Sequence, residues 1–243
     1  MAFSEELINF LNDVQAFQQT HMPYQLWYRG QGVDKPLNSG LFRLNITSLE
    51  ELKNLERNAY FMFRNLGQPL LKKETDFELL NIMQHHGVKT RLLDWTPSLL
   101  IAIYFALEEA DSPVLWLLSP NKMNKILINE DSIPTPPFNM SYENAISNHE
   151  VILNSVAIHP TRNSPRQSVQ QGFFTIQSDN QVPLELEHNE LLTKSGSLKK
   201  ILINETLKQD LKWYLQLNSV NYFSVYPDLE GLSRHINKFV FRS

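Results

Sequence analysis

Cysteine is absent from the 243 residues. That excludes disulfides, thiolate-bound zinc and iron–sulfur clusters, and it suits a reducing compartment. Positive charge is not in excess: 22 Lys and Arg against 26 Asp and Glu leave a net charge of −4, with a pI near 6.0. General attraction to nucleic acid or anionic lipid needs a basic surface, so composition points to neither, although a local basic groove is compatible with it. Glycine is scarce, with 8 residues, and neither GxGxxG nor GxxxxGK occurs. Rossmann, P-loop and kinase chemistry are therefore not expected. Long apolar runs are lacking too. The longest, Leu99 to Leu107, falls well short of the roughly 20 residues that span a bilayer. The opening MAFSEELINFLNDVQAFQQT is acidic and amphipathic, unlike a signal peptide. The expectation is a cytoplasmic protein with no membrane partner.

What is present is enough apolar sequence, 42%, to bury a large core as one domain or a domain with an insertion. Ser4 is placed to cap a helix carrying Leu7, Phe10, Leu11, Val14 and Phe17 at helical spacing. Gln25 to Arg29 reads as a buried strand stopped by Gly30. A long helix is expected over about 48–65, and another from Thr75 through Met83, with Gly87 as its left-handed C′ residue. Thr96 and Pro97 read as cap and first turn of an apolar helix from Leu99 to Ala110, and Pro113 to Leu118 as a strand. Residues 119–150 hold four of the thirteen prolines and read as a surface excursion with one or two short helices. Strands are expected at Asn154–His159, Phe173–Ile176, Lys199–Ile203 and Tyr222–Tyr226. Helices are expected from Ser164 to Gly172, after Asn204, and after Gly231. Helices and strands mix without a regular βαβ alternation and no repeat is present, so the fold class is α+β: a mixed sheet with helices grouped around it.

Distinctive polar chemistry lies in two short segments. In the first, Arg29 closes an apolar strand and is followed by Gly30 and Gln31. A planar guanidinium there can hold a phosphate or carboxylate, and Gly30 would allow a ligand close to the backbone. The plain alternative is an arginine paired with an internal carboxylate such as Asp94. The second segment, Gln84 to Thr96, joins two apolar helices yet carries His85, His86, Lys89, Arg91, Asp94 and Trp95. His85 could carry a proton near neutral pH. Arg91 and Asp94 could be a structural pair, and Trp95 could stack on a ring or pack in the core. No metal is expected, since HExxH is absent and adjacent histidines do not share a helical face. Arg162, Arg166, Gln170 and Gln171 would suit an anion pocket or a solvated polar helix. Glu185 and Glu187 form an i, i+2 pair that a strand would present on one face, and Asp228 with Glu230 forms another.

Together these segments resemble the FRG domain, named for a Phe(or Tyr)-Arg-Gly motif, here Tyr28-Arg29-Gly30-Gln31. The resemblance continues through Gln84-His85-His86-Gly87, Thr90 to Thr96 (TRLLDWT), Ala102 to Ala106 (AIYFA), Arg166 to Thr175 and Tyr226 to Gly231 (YPDLEG). It implies an FRG-like domain over 23–243 preceded by an N-terminal helix over 1–22. An arginine at the end of a first strand also resembles the arginine–serine–glutamate class of ADP-ribosyltransferases. That likeness implies NAD as cofactor, with Arg29, Gln31, Gln84, Arg91, Asp94, Trp95, Arg166 and Gln170 as binding residues. His85, Glu185 and Glu187 would then be catalytic, although no Ser-Thr-Ser segment precedes the glutamates. The implied activity is an NAD- or nucleotide-using transferase acting as a bacterial or phage-related effector or toxin. Its partners would be a macromolecular acceptor and a cognate inhibitor protein. A module that holds a nucleotide or RNA end without turnover is the alternative, and a buried polar network is a third.

Overall fold

A computed structural model gives the fold of residues 3–108, 110–136, 141–148, 150–160 and 172–241. The Ser4 hydroxyl accepts from the Leu7 N–H and opens α1 (Glu5–His21), with Glu5 and Glu6 in the first turn where carboxylates favour the helix dipole. Leu7, Phe10, Val14 and Phe17 bury one face of α1 within the main core. This helix is an integral wall of the domain, not an appendage to it.

Among the described residues, six strands form two antiparallel sheets. In the first, β1 (Trp27–Gln31) pairs with β3 (Val114–Leu118), which pairs on its other edge with β6 (Leu198–Leu202). In the second, β5 (Phe173–Ile176) lies between β2 (Leu92–Trp95) and β4 (Val156–Ile158). The sheets meet edge to edge at a single bridge. Tyr28 and Thr96 exchange backbone hydrogen bonds of 2.7 and 2.9 Å. The α+β class holds, and every pairing is antiparallel where a mixed sheet was expected. Among the described residues no strand returns beside its neighbour through a right-handed βαβ crossover, the device that makes parallel pairs.

The central strand β3 is buried along its whole length. Its side chains alternate with the period of two that strands impose. Leu115 and Leu117 join α1 and the helices α4 (Leu99–Glu108) and α8 (Glu205–Leu217) in one apolar cluster. Val114, Trp116 and Leu118 join Trp27 of the same sheet in a second cluster with Leu93, Trp95 and Phe173 of the other sheet. A third cluster lies under β2, β4 and β5 and draws on α2 (Leu49–Gly67), α3 (Asp76–His85) and α6 (Tyr142–Ser147).

Local expectations fare unevenly. Asn204 caps α8 as its sequence position suggests, and Gly87 takes φ +81° just past α3. The apolar helix α4 begins at Leu99, with the Ser98 hydroxyl accepting from Ile101, because Thr96 is engaged in the bridge to Tyr28. Residues 119–150 are not a plain surface excursion. They hold α5 (Pro120–Ile128) and α6, and bury Met123, Asn124, Tyr142, Ala145 and Ile146. After α7 (Glu187–Lys194) and α8, residues 222–226 form a short helix, α9 (Tyr222–Val225), instead of a strand. The Asn221 side chain accepts from the Ser224 N–H while the Ser224 hydroxyl accepts from the Asn221 N–H, a reciprocal cap that closes the turn locally. The chain ends in α10 (Leu229–Ile236), capped by Asp228, and a π-helical turn over Asn237–Phe241. The expected helix from Ser164 to Gly172 falls mainly on 161–171, outside the described residues. No helix among the described residues is long and apolar enough to cross a membrane.

Candidate functional site

At the seam between the sheets lies a cavity of about 390 Å³. From one sheet it takes Tyr28, Arg29 and Gly30; from the other, Asp94, Trp95, Thr96 and Phe174. Gln84 and His85, at the end of α3, and Phe105 on α4 complete most of the wall, and Gly172 reaches its edge. Arg29 and His85, 56 positions apart in sequence, therefore line one accessible hollow.

Arg29 is pinned but not consumed. One terminal nitrogen donates to the Asp94 main-chain oxygen at 2.7 Å and lies 3.8 Å from the Asp94 carboxylate. Its Nε is buried with no hydrogen-bond partner, and 16% of the side chain is exposed. Burial lowers its pKa to about 10; Asp94 works against that fall and the Arg43 cation adds to it. The guanidinium thus stays charged at neutral pH, with spare donors for an anion.

Asp94 faces it with a side chain 56% exposed. The Gln84 amide donates to its carboxylate at 2.9 Å, and Thr90 in turn donates to the Gln84 oxygen at 2.6 Å, which fixes the amide's orientation. The cleft walls desolvate the carboxyl and hold its pKa above the usual value, against the pull of Arg29 and Gln84. Water entering the cleft tempers that rise, since more than half of the side chain meets solvent.

Gly30 has a different task from the one expected. A Cβ there would stand 1.8 Å from the Ala102 carbonyl oxygen and 2.6 Å from the Ala106 nitrogen. Glycine is what lets β1 lie directly on α4, and the Ala102 and Ala106 pair keeps that face of the helix low. Close packing, not approach of a ligand, requires Gly30.

Several expected ligand contacts are drawn into the core. Arg91 has no exposed surface. It forms a fork-to-fork pair with Glu56 and donates to the Gln177 carbonyl at 2.8 Å and Asp179 at 2.9 Å. Lys53 closes the network at 2.7 Å from Asp179. A ligand has no path to this guanidinium. Trp95 is buried, its indole N–H donating to Thr175 at 3.1 Å, so it forms cleft wall rather than an exposed stacking plate. The Gln31 oxygen accepts from the Trp116 indole at 3.1 Å.

Glu185 and Glu187 are not a strand pair and line neither side of the cleft. The Glu185 carboxylate accepts from the Leu37 N–H at 3.1 Å. Glu187 is buried at the start of α7, where the Ser155 and Ser178 hydroxyls donate to it at 2.7 and 2.6 Å. Three left-handed residues follow it, His188 to Glu190, a local geometry that the alternation of 185 and 187 does not announce. Arg166 and Gln170 lie outside the described residues. Asp228 caps α10, donating nothing and accepting from Gly231 at 2.7 Å, while Glu230 pairs with Arg234. Among the described residues no group of three or more His, Asp or Glu side chains is placed to hold a metal ion.

Sequence reasoning passed over the aromatic lining. Tyr28, Phe105 and Phe174 were readable only as core residues, because nothing local separates a ring that walls a cleft from one that fills a core.

Searches of curated proteins and of solved structures each return no match. A family model does match, over residues 24–114. That stretch runs from just before β1 to the first residue of β3 and contributes nine of the residues that surround the cleft, Arg29, Gln84, His85 and Asp94 among them. That model describes the FRG domain, to which this span of the chain is similar.

Proposed function

We propose that the seam cleft binds a nucleotide, with Arg29 taking a phosphate and Gln84, His85 and Asp94 meeting the ribose or base. The observation that carries this reading is Arg29 itself: a charged fork with an unpaired buried Nε, opening on a cleft walled by Tyr28, Phe105 and Phe174. Aromatic and apolar walls with a few convergent polar groups are the usual makeup of a small-molecule site. The Asp94 carboxylate and Gln84 oxygen suit hydroxyl donors, and Arg29 suits a phosphate fork.

An NAD-using transferase is the second reading, and Asp94 favours it. It is the one carboxylate among the described residues lining the cleft, so it takes the part first assigned to Glu185 and Glu187. In that chemistry the bond from ribose to nicotinamide breaks, and nicotinamide leaves with the electron pair. Asp94 steadies the ribosyl cation, and an acceptor nucleophile bonds to it and loses a proton. On this reading the protein would act as an effector on a macromolecule, and a cognate inhibitor would cover the cleft mouth.

Calorimetric titration of AMP, ADP and NAD tests the site. The wild-type protein should bind at least one, and Arg29→Ala should weaken that binding about tenfold or more, as loss of a charge-assisted contact does. Following free nicotinamide in the NAD titration separates turnover from binding. A wild-type protein that binds none of the three, or an Arg29→Ala variant that binds equally well, overturns the proposal.

A further inference from the structure

A second hollow, of about 220 Å³, adjoins the cleft and shares Arg29, Gly30 and Phe105 with it. Its lining carries three cations, Arg29, Lys35 and Arg43, against one carboxylate, Glu108. In a chain with a net charge of −4 this is a local reversal of sign. Lys35 and Arg43 are exposed, and neither enters a salt bridge among the described residues. Asp34, the carboxylate nearest to Lys35 in sequence, is committed to Lys200, and Glu108 accepts from the Tyr226 hydroxyl. The repulsion is felt at Arg29, whose charge the Arg43 cation disfavours. Like charges gathered around a concave surface focus potential on it, and an anion relieves them.

We infer that this hollow is a second phosphoryl subsite, and that the ligand of the cleft is a nucleoside diphosphate or a diphosphate-linked dinucleotide, not a nucleoside monophosphate. The inference rests on the nucleotide reading of the cleft and extends it. Arg29 lies on both cavities, so its guanidinium bridges the two phosphoryl groups. The ring and ribose lie on the Asp94 side, and the second phosphate meets Lys35 and Arg43. Both residues are exposed, so removing their side chains should leave the domain folded.

The test compares AMP, ADP, ADP-ribose, NAD and inorganic pyrophosphate on the wild-type protein and on the Lys35→Ala, Arg43→Ala double variant, with unfolding temperatures measured for both. ADP should bind the wild type about tenfold tighter than AMP, and the double variant should bring that ratio close to one. ADP-ribose or NAD binding more tightly than ADP identifies the dinucleotide source, and the reverse identifies the free diphosphate. If nucleotides fail to bind but pyrophosphate binds and is lost in the double variant, the phosphoryl subsite stands and the nucleotide reading falls. Equal affinity for AMP and ADP in the wild type, or a ratio unchanged in the double variant, overturns the inference. So does failure of both nucleotides and pyrophosphate to bind.

Discussion

Arg91 is a charge held with no exposed side-chain surface. Glu56, Asp179 and the Gln177 carbonyl surround it, and the Tyr142 hydroxyl donates to Glu56 at 2.9 Å. Removing one member of such a group leaves the others buried and uncompensated. Arg91→Ala should therefore cost roughly 3–5 kcal/mol in denaturant unfolding at neutral pH. Burial alone would raise the Asp179 pKa, but Arg91, Lys53 and the Ile152 N–H hold it below the ordinary carboxylate value. A depressed folded pKa means that the native state binds fewer protons than the unfolded one. Its stabilisation is thus complete above the unfolded pKa of about 3.9 and is lost as pH falls through the lower folded value. The acid limb of the stability curve should be shallower in Arg91→Ala. Only half of this was legible beforehand. A buried arginine needs a carboxylate, but the partners at 56 and 179 lie 35 and 88 positions away, and no local spacing points to them. Arg29 and Arg91 look alike in sequence; what separates them is whether the surrounding acids exhaust the guanidinium's donors.

Strand β1 and helix α4 meet at main-chain distance. In Gly30→Ala the new methyl group collides with the Ala102 carbonyl, so β1 must lift from α4. A destabilisation of about 3 kcal/mol is expected, at the upper end of overpacking costs. Ala102→Gly in the same chain should not restore stability, because the obstructing atom belongs to the backbone; urea unfolding of the two variants checks both statements. The motif of two alanines four apart in AIYFA was visible in the sequence, and with hindsight its small face matches a glycine in the partner strand. Elements with strong periodicity or clear caps were the legible ones: α1, α2, β3 and α8. The Tyr222–Tyr226 run was misread because aromatic residues favour strands, while the Asn221 and Ser224 cap that decides it spans only four positions.

The span that carries the FRG match contains β1 and β2 but not the strands they pair with. β1 needs β3, whose pairing positions run from Val114 to Leu118, and β2 needs β5 at 173–176. Apart from the bridge between Tyr28 and Thr96 and the terminal pair of Gln31 with Val114, no strand pairing among the described residues closes within 24–114. A fragment of 24–114 should accordingly show no cooperative thermal transition by circular dichroism, while the 243-residue chain shows one. These pairings join stretches up to about 90 positions apart in chain order, and hydrophobic pattern alone specifies faces, not partners. That is why the class could be read and the division into two sheets could not. The bridge carries a mechanical consequence. Two hydrogen bonds make a pivot, not a weld, so the dihedral between the sheets is governed by whatever spans them on either side. Arg29 already reaches across to the Asp94 carbonyl. A bound anion gripped from both banks would be a second strut, and occupancy of the cleft would stiffen the molecule as a whole.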